Sequence, residues 1–198
     1  MVRRKPLRSL ASYGRPLPSR APYDAVLKVC EGSKSEPNYF RGLRARYQLS
    51  STNVVVLPTG RDPLSLVKHA IAELERDPEL SRAYCVFDRD GHATYDAAIR
   101  KLAASQLNKV GRLFGAESVP CFEIWLLLHF AYSTRAYSST GKKSAGARVL
   151  SELRRHFPEY TKGFQKTFEA LLGKMDVAIR HANQLAAHNK GTLSPNPA

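Results

Sequence analysis

Apolar positions along this chain fall into short unbroken runs separated by longer stretches with a helical period. Ala25–Cys30 (AVLKVC), closed by Glu31-Gly32, reads as a buried strand. Behind it Ser35-Glu36-Pro37 opens a helix: Ser35 offers a cap, Pro37 suits the first turn, and Tyr39, Phe40, Leu43 and Tyr47 form one stripe. Asn53–Leu57 (NVVVL) predicts a second strand. Asp62-Pro63 starts a second helix, with Leu64, Val67, Ile71 and Leu74 at helical spacing. Arg82–Phe87 (RAYCVF) predicts a third strand, which ends on Asp88-Arg89-Asp90-Gly91. A helix over Tyr95–Leu107, a fourth strand over Gly111–Glu117 and an intensely apolar helix over Cys121–Phe130 follow. Strands this apolar, alternating with helices, belong to a parallel sheet covered on both faces. The expected fold is therefore α/β: a Rossmannoid three-layer core with about four parallel strands.

After Ala131 the texture changes. Ser133–Gly146 is rich in Ser, Gly and Lys and reads as a loop, and Arg148–His156, Tyr160–Leu172 and Met175–His188 predict three helices without strands. The expected organisation is a basic flexible arm over 1–22, an α/β core over 23–132, a C-terminal helical appendage packed on it over 133–191, and a frayed tail over 192–198.

Charge narrows the partner. In 198 residues, 31 Lys+Arg face 17 Asp+Glu, a formal +14, and nucleic acid is the default ligand of such a surface. Residues 1–22 hold Arg3, Arg4, Lys5, Arg8, Arg15 and Arg20 with four prolines and no acid, and a nucleic-acid clamp and a solubilising tail both fit them. The longest apolar stretch, Ile124–Tyr132, is interrupted by His129 and falls far short of the roughly 20 residues of a membrane helix. The Arg-rich start lacks the apolar segment of a secretory signal, and Cys30 and Cys85 sit in apolar runs as buried thiols do in a reducing compartment. No membrane association and a cytoplasmic location are expected.

Against this basic background the acids stand out. Glu31 follows the first strand, Asp88 and Asp90 follow the third, and Glu123 follows the fourth, in the first turn of the apolar helix. In a parallel sheet these are carboxyl-edge positions, where such folds bind ligands. Carboxylates gathered there repel one another unless a cation neutralises them, and hard oxygen donors suit one or two Mg²⁺ or Mn²⁺ ions. Each acid also has a plainer reading: a polar turn for Asp88-Arg-Asp90-Gly91, a solvated strand end for Glu31, and helix-dipole partners for Glu36 and Glu123. His92, close behind Asp90, is the histidine nearest this chemistry, whereas His129 reads as packed and hydrogen-bonded.

Cys30-Glu31-Gly-Ser-Lys34-Ser-Glu36-Pro-Asn-Tyr-Phe40, then Val86-Phe-Asp88-Arg-Asp90, then Pro120-Cys-Phe-Glu123-Ile-Trp-Leu-Leu-Leu-His129-Phe130 resemble the signature of RloB-like proteins, from about residue 25 to 190. That family is in turn similar to the Toprim domains of topoisomerases, primases and OLD-type nucleases. The resemblance implies a Toprim-like core in which Glu31, Asp88 and Asp90 organise divalent metal and act as catalytic residues. By similarity with OLD-type nucleases it implies further that Glu123 is a ligand and that Glu36 joins a second metal; Lys34 suits either an electrostatic partner of a transition-state phosphate or a solvated loop lysine. The resemblance implies a metal-dependent nuclease, hydrolysing phosphodiester bonds of DNA or RNA in bacterial anti-phage defence (abortive infection), beside an ATPase of the ABC/SMC type. The chain departs from the pattern in having Ser118-Val119-Pro120 where relatives often carry Ser-Asn-Pro, and in ending at Asn196-Pro197-Ala198 where relatives continue into another helix.

Other chemistries fit less well. Gly141-Lys142-Lys143-Ser144 lacks the upstream glycine of a phosphate loop and follows no strand, so ATP hydrolysis falls to a partner; Lys142, Lys143 and Arg148 suit either a solvated loop or phosphate contacts. There is no Gly-x-Ser-x-Gly nucleophile elbow. The reading that competes with the nuclease is a catalytically silent nucleic-acid-binding or regulatory subunit of the ATPase complex. A homo-oligomer is open to either.

Overall fold

The computed structural model describes residues 25–49, 54–89, 92–141 and 143–192. Their order is β1 (Ala25–Cys30), α1 (Ser35–Arg46), β2 (Val54–Pro58), α2 (Pro63–Arg76), β3 (Leu80–Asp88), α3 (Tyr95–Ala104), α4 (Gln106–Lys109), β4 (Leu113–Ser118), α5 (Glu123–Leu128), α6 (Ala145–His156), α7 (Thr167–Leu171), a 3₁₀ turn (Leu172–Lys174) and α8 (Met175–Thr192). The basic arm over 1–22 and the tail over 193–198 lie outside the described residues; Thr192 still belongs to α8.

The four strands form one all-parallel sheet in the order β2-β1-β3-β4. The α/β, Rossmann-like core expected from the strand pattern is thus present. From β1 the chain steps to one side to build β2 and then to the other to build β3. The carboxyl ends of β1 and β3 therefore form the switch point, the crevice where doubly wound sheets take ligands.

Two cores flank the sheet. On one face Leu27, Val29, Ala83, Cys85 and Phe87 pack against Leu66, Val67, Ala70 and Leu74 of α2 and Ala98 and Leu102 of α3. On the other, Tyr39 of α1 joins Leu126 and Leu127 of α5, Val149 and Leu153 of α6, Phe168 and Leu171 of α7, and Ala178 and Leu185 of α8 in one buried cluster. The helices after residue 133 thus share a core with α1 and α5. Gly42 permits this approach: a Cβ there would stand 2.8 Å from Cβ of Phe168 in α7.

Several boundaries differ from the sequence reading. The helix expected over Tyr95–Leu107 breaks at Ser105, which is extended (ψ 133°) and whose hydroxyl accepts from Leu107 N. The apolar helix contracts from Cys121–Phe130 to Glu123–Leu128. Ser35 does not cap α1; Lys34 occupies that position without a side-chain bond. The helix expected over Tyr160–Leu172 shrinks to Thr167–Leu171, because Gly163 at φ 88° places the preceding residues in turns.

Candidate functional site

Register places the first two acids. Cys30 pairs with Val86, Glu31 N donates to the Val86 carbonyl (2.9 Å), and Asp88 is level with Ser118 at the end of β4. Glu31 and Asp88 therefore emerge side by side at the switch point, and Asp88 N donates to Glu31 Oε2 at 3.1 Å. The other oxygen of Glu31, Oε1, lies 2.6 Å from Nε2 of His92.

Two further acids arrive from helix starts. Glu36 opens α1 and is 5% exposed; Glu123 opens α5 and is 2% exposed. Gly32 is what lets Glu36 fold back over the end of β1: the Glu36 carboxylate occupies the space a Cβ on Gly32 would need. Glu31, Glu36, Asp88 and Glu123 line one cavity of about 240 Å³ together with Lys34 and Lys162.

The electrostatics are those of a site short of positive charge. Burial, and then the charges of Glu36, Glu123 and Glu31, push the Asp88 carboxyl from its ordinary 3.8 up to about 8. Burial raises Glu36 as well, with Glu123 and Glu31 adding to the shift and the amides of Glu36 and Gly32 opposing it. Asp88 Oδ1 is buried without a hydrogen-bond partner. Among the described residues no group of three His, Cys, Asp or Glu side chains forms a ready coordination shell. The donor set still fits a hard divalent cation. Its members are all carboxylate oxygens, one of them buried and unsatisfied, and like charges this close lower their energy around a cation.

A segment from far along the chain closes the cavity. The Tyr160 hydroxyl donates to Glu123 Oε1 at 3.1 Å, and Lys162 Nζ lies 4.0 Å from Glu123 Oε2. Gly163 N donates to Ser35 Oγ (3.3 Å), and Asn38 Nδ2 donates to the Gly163 carbonyl (2.8 Å). Burial and the neighbouring Glu123 charge push the Tyr160 phenol upward, so it stays a neutral donor.

The profile of the RloB-like protein family matches residues 26–198. The chain belongs to the RloB-like protein family. No curated protein and no solved structure matches it.

Of the acids singled out in this RloB-like sequence, Glu31, Glu36, Asp88 and Glu123 share the cavity; Asp90 lies outside the described residues. Lys34 is exposed at the cavity wall, its alkyl chain against Gly163. His129 is buried (1% exposed), with Nδ1 3.0 Å from the Trp125 carbonyl, and plays no part here. Sequence reasoning missed Tyr160 and Lys162, which it assigned to a helix. Pro158 and Gly163, bracketing the pair, were the signal against that helix.

Proposed function

We propose that this RloB-like chain is a nuclease that hydrolyses phosphodiester bonds of DNA or RNA with the help of Mg²⁺ or Mn²⁺. The observation that carries the reading is the convergence of four carboxylates on one cavity at the switch point, with Asp88 Oδ1 buried and unsatisfied. Asp88, Glu31, Glu123 and Glu36 would hold the ion or ions, joined by Asp90 as the family resemblance implies. A divalent cation bound there polarises the scissile phosphate and lowers the pKa of attacking water.

The chain's own groups supply the rest. Glu31, held by Asp88 N and His92 Nε2, is oriented to take a proton from water as general base. Lys34 and Lys162 at the cavity wall attract the phosphate and offset its developing charge. Tyr160 fixes the Glu123 carboxylate by donating to Oε1. The +14 charge retains the polyanion.

The setting proposed is cytoplasmic anti-phage defence beside an ATPase of the ABC/SMC type, with hydrolysis of ATP left to the partner. Three buried free cysteines accord with a reducing compartment, and no described helix is long and apolar enough to cross a membrane.

A second reading, a catalytically silent binding or regulatory subunit, draws on the formal charge of +14, which retains nucleic acid without any cutting. One experiment separates the two. Purified protein is incubated with plasmid, single-stranded DNA and tRNA in Mn²⁺ or EDTA, alone and with the ATPase. Cutting only with metal, lost in Asp88→Asn, supports the nuclease; binding without cutting under every condition supports the subunit. Cleavage undiminished in Asp88→Asn removes the site assignment.

A further inference from the structure

A second polar cavity, about 180 Å³, lies between the chain before α6 and α6 itself, lined by Arg135, Tyr137, Lys143, Arg148, Glu152 and Arg155 among others. The acidic site uses none of these residues. Arg148, Glu152 and Arg155 recur at helical spacing and share one face of α6, whose N-terminus Ser144 caps by accepting from Ala147 N. The wall opposite is a tight turn. Thr140 N donates to the Lys143 carbonyl (3.0 Å), Lys143 N returns a bond to Thr140 (3.2 Å), and Gly141 takes φ 58° between them. Arg148 pins that turn through Nη1, which donates to Thr140 Oγ1 (2.8 Å) and to the Ser138 carbonyl (3.1 Å). Arg148 is thereby fixed in place.

Two features of this pocket lack a counterpart. Four cations face a single carboxylate, Glu152, and only Arg135 approaches it, Nη1 to Oε2 at 3.5 Å. Arg135 also stands over the Tyr137 ring, 5.8 Å from its centre. Tyr137 is 8% exposed, and its hydroxyl is buried and makes no well-formed hydrogen bond. Burial, and then the Glu152 carboxylate beside it, disfavour the Tyr137 phenolate and keep the hydroxyl a neutral donor. An anion with several acceptor oxygens would both accept from this buried donor and pair with the surplus guanidinium groups. Phosphate fits this description, since guanidinium forks match its oxygens in pairs. In a chain of charge +14 its source is a nucleic-acid strand.

We propose that the pocket formed by Arg135, Tyr137, Lys143, Arg148 and Arg155 binds a phosphate group of a nucleic-acid strand, separately from the acidic site. This shares a ligand class with the proposed nuclease but requires no cleavage, so it is tested by binding in EDTA. Anisotropy is measured across a salt series with labelled single-stranded oligonucleotides bearing a 5′-phosphate or a 5′-hydroxyl. Arg155→Glu should weaken binding at least tenfold and flatten the log–log salt dependence by about 0.7, the contribution of one phosphate contact on a single strand. Tyr137→Phe removes one oxygen that makes no well-formed internal hydrogen bond; it should leave thermal stability unchanged and weaken binding about fivefold or more. A loss confined to the 5′-phosphorylated strand identifies a terminal phosphate, and an equal loss on both an internal phosphodiester; either supports the site. Lys101→Glu on α3, which packs on the opposite face of the sheet, makes the same charge change and should have little effect. Three results would overturn the proposal: wild-type binding by both pocket variants, a loss in Lys101→Glu equal to that in Arg155→Glu, or displacement of the strand by polyglutamate as readily as by inorganic polyphosphate of equal charge.

Discussion

Replacing Asp88 by Asn should make the metal-free protein more stable while removing its response to divalent cations. The Asp88 carboxyl, ordinarily at 3.8, is pushed up to about 8 by burial and by Glu36, Glu123 and Glu31. Between those two pH values the native state holds a proton that the unfolded chain releases. Raising the pH through that window therefore draws the equilibrium toward unfolding, and the destabilisation is complete only above about 8. Taken whole, a displacement of this size corresponds to about 5 kcal/mol near neutral pH. The cavity is open to water and Lys162 lies within its field, so a gain of about 2 kcal/mol is expected on removing the charge. In a chain of 198 residues that gain raises Tm by about 4–8 °C. The assay is thermal unfolding of both proteins at pH 4.5 and 7.5, in EDTA and in excess Mg²⁺. The variant should gain at pH 7.5 in EDTA and lose most of that gain at pH 4.5. Wild-type protein, but not the variant, should be stabilised by Mg²⁺. A variant less stable than wild type at pH 7.5 in EDTA, or equally stabilised by Mg²⁺, would refute the account of a carboxylate cluster awaiting a cation.

Gly32→Ala places a Cβ where the Glu36 carboxylate now lies; it should cost about 1–3 kcal/mol in urea unfolding and reduce any metal-dependent cutting, and a neutral effect on both would show that Glu36 has other positions open to it. Tyr160→Phe deprives buried Glu123 Oε1 of its donor and should cost about 1–3 kcal/mol. Combined with Glu123→Gln in a double-mutant cycle, it should show a coupling of about 0.5 kcal/mol or more, whereas additive losses would mean that the two side chains do not act together.

The strands and the edge they define were legible because a fully buried parallel strand leaves an unbroken apolar run, and the acids follow such runs directly: Glu31 after AVLKVC, Asp88 after RAYCVF. Local pattern failed where tertiary contacts decide. Ser35 has the chemistry of a helix cap, yet its hydroxyl accepts from Gly163 N, 128 residues away, a partner that no local window contains. Tyr160, Phe164 and Phe168 recur at helical spacing, but Gly163 turns the chain and directs Tyr160 to Glu123. Gly32 carried no periodic signal; its importance comes from the Glu36 carboxylate lying against it.

The stretch from Tyr160 to Gly163 has a practical consequence for how this protein is handled. A truncated version stopping near residue 132 would retain every strand and every acid of the motif, and on a sequence alignment it would look intact. It would nonetheless expose Glu123, remove the Gly163 bonds of Ser35 and Asn38, and leave bare the apolar side of α1 and α5. A fragment of that kind that neither bound metal nor cut nucleic acid would leave the four acids untested, because their wall is gone.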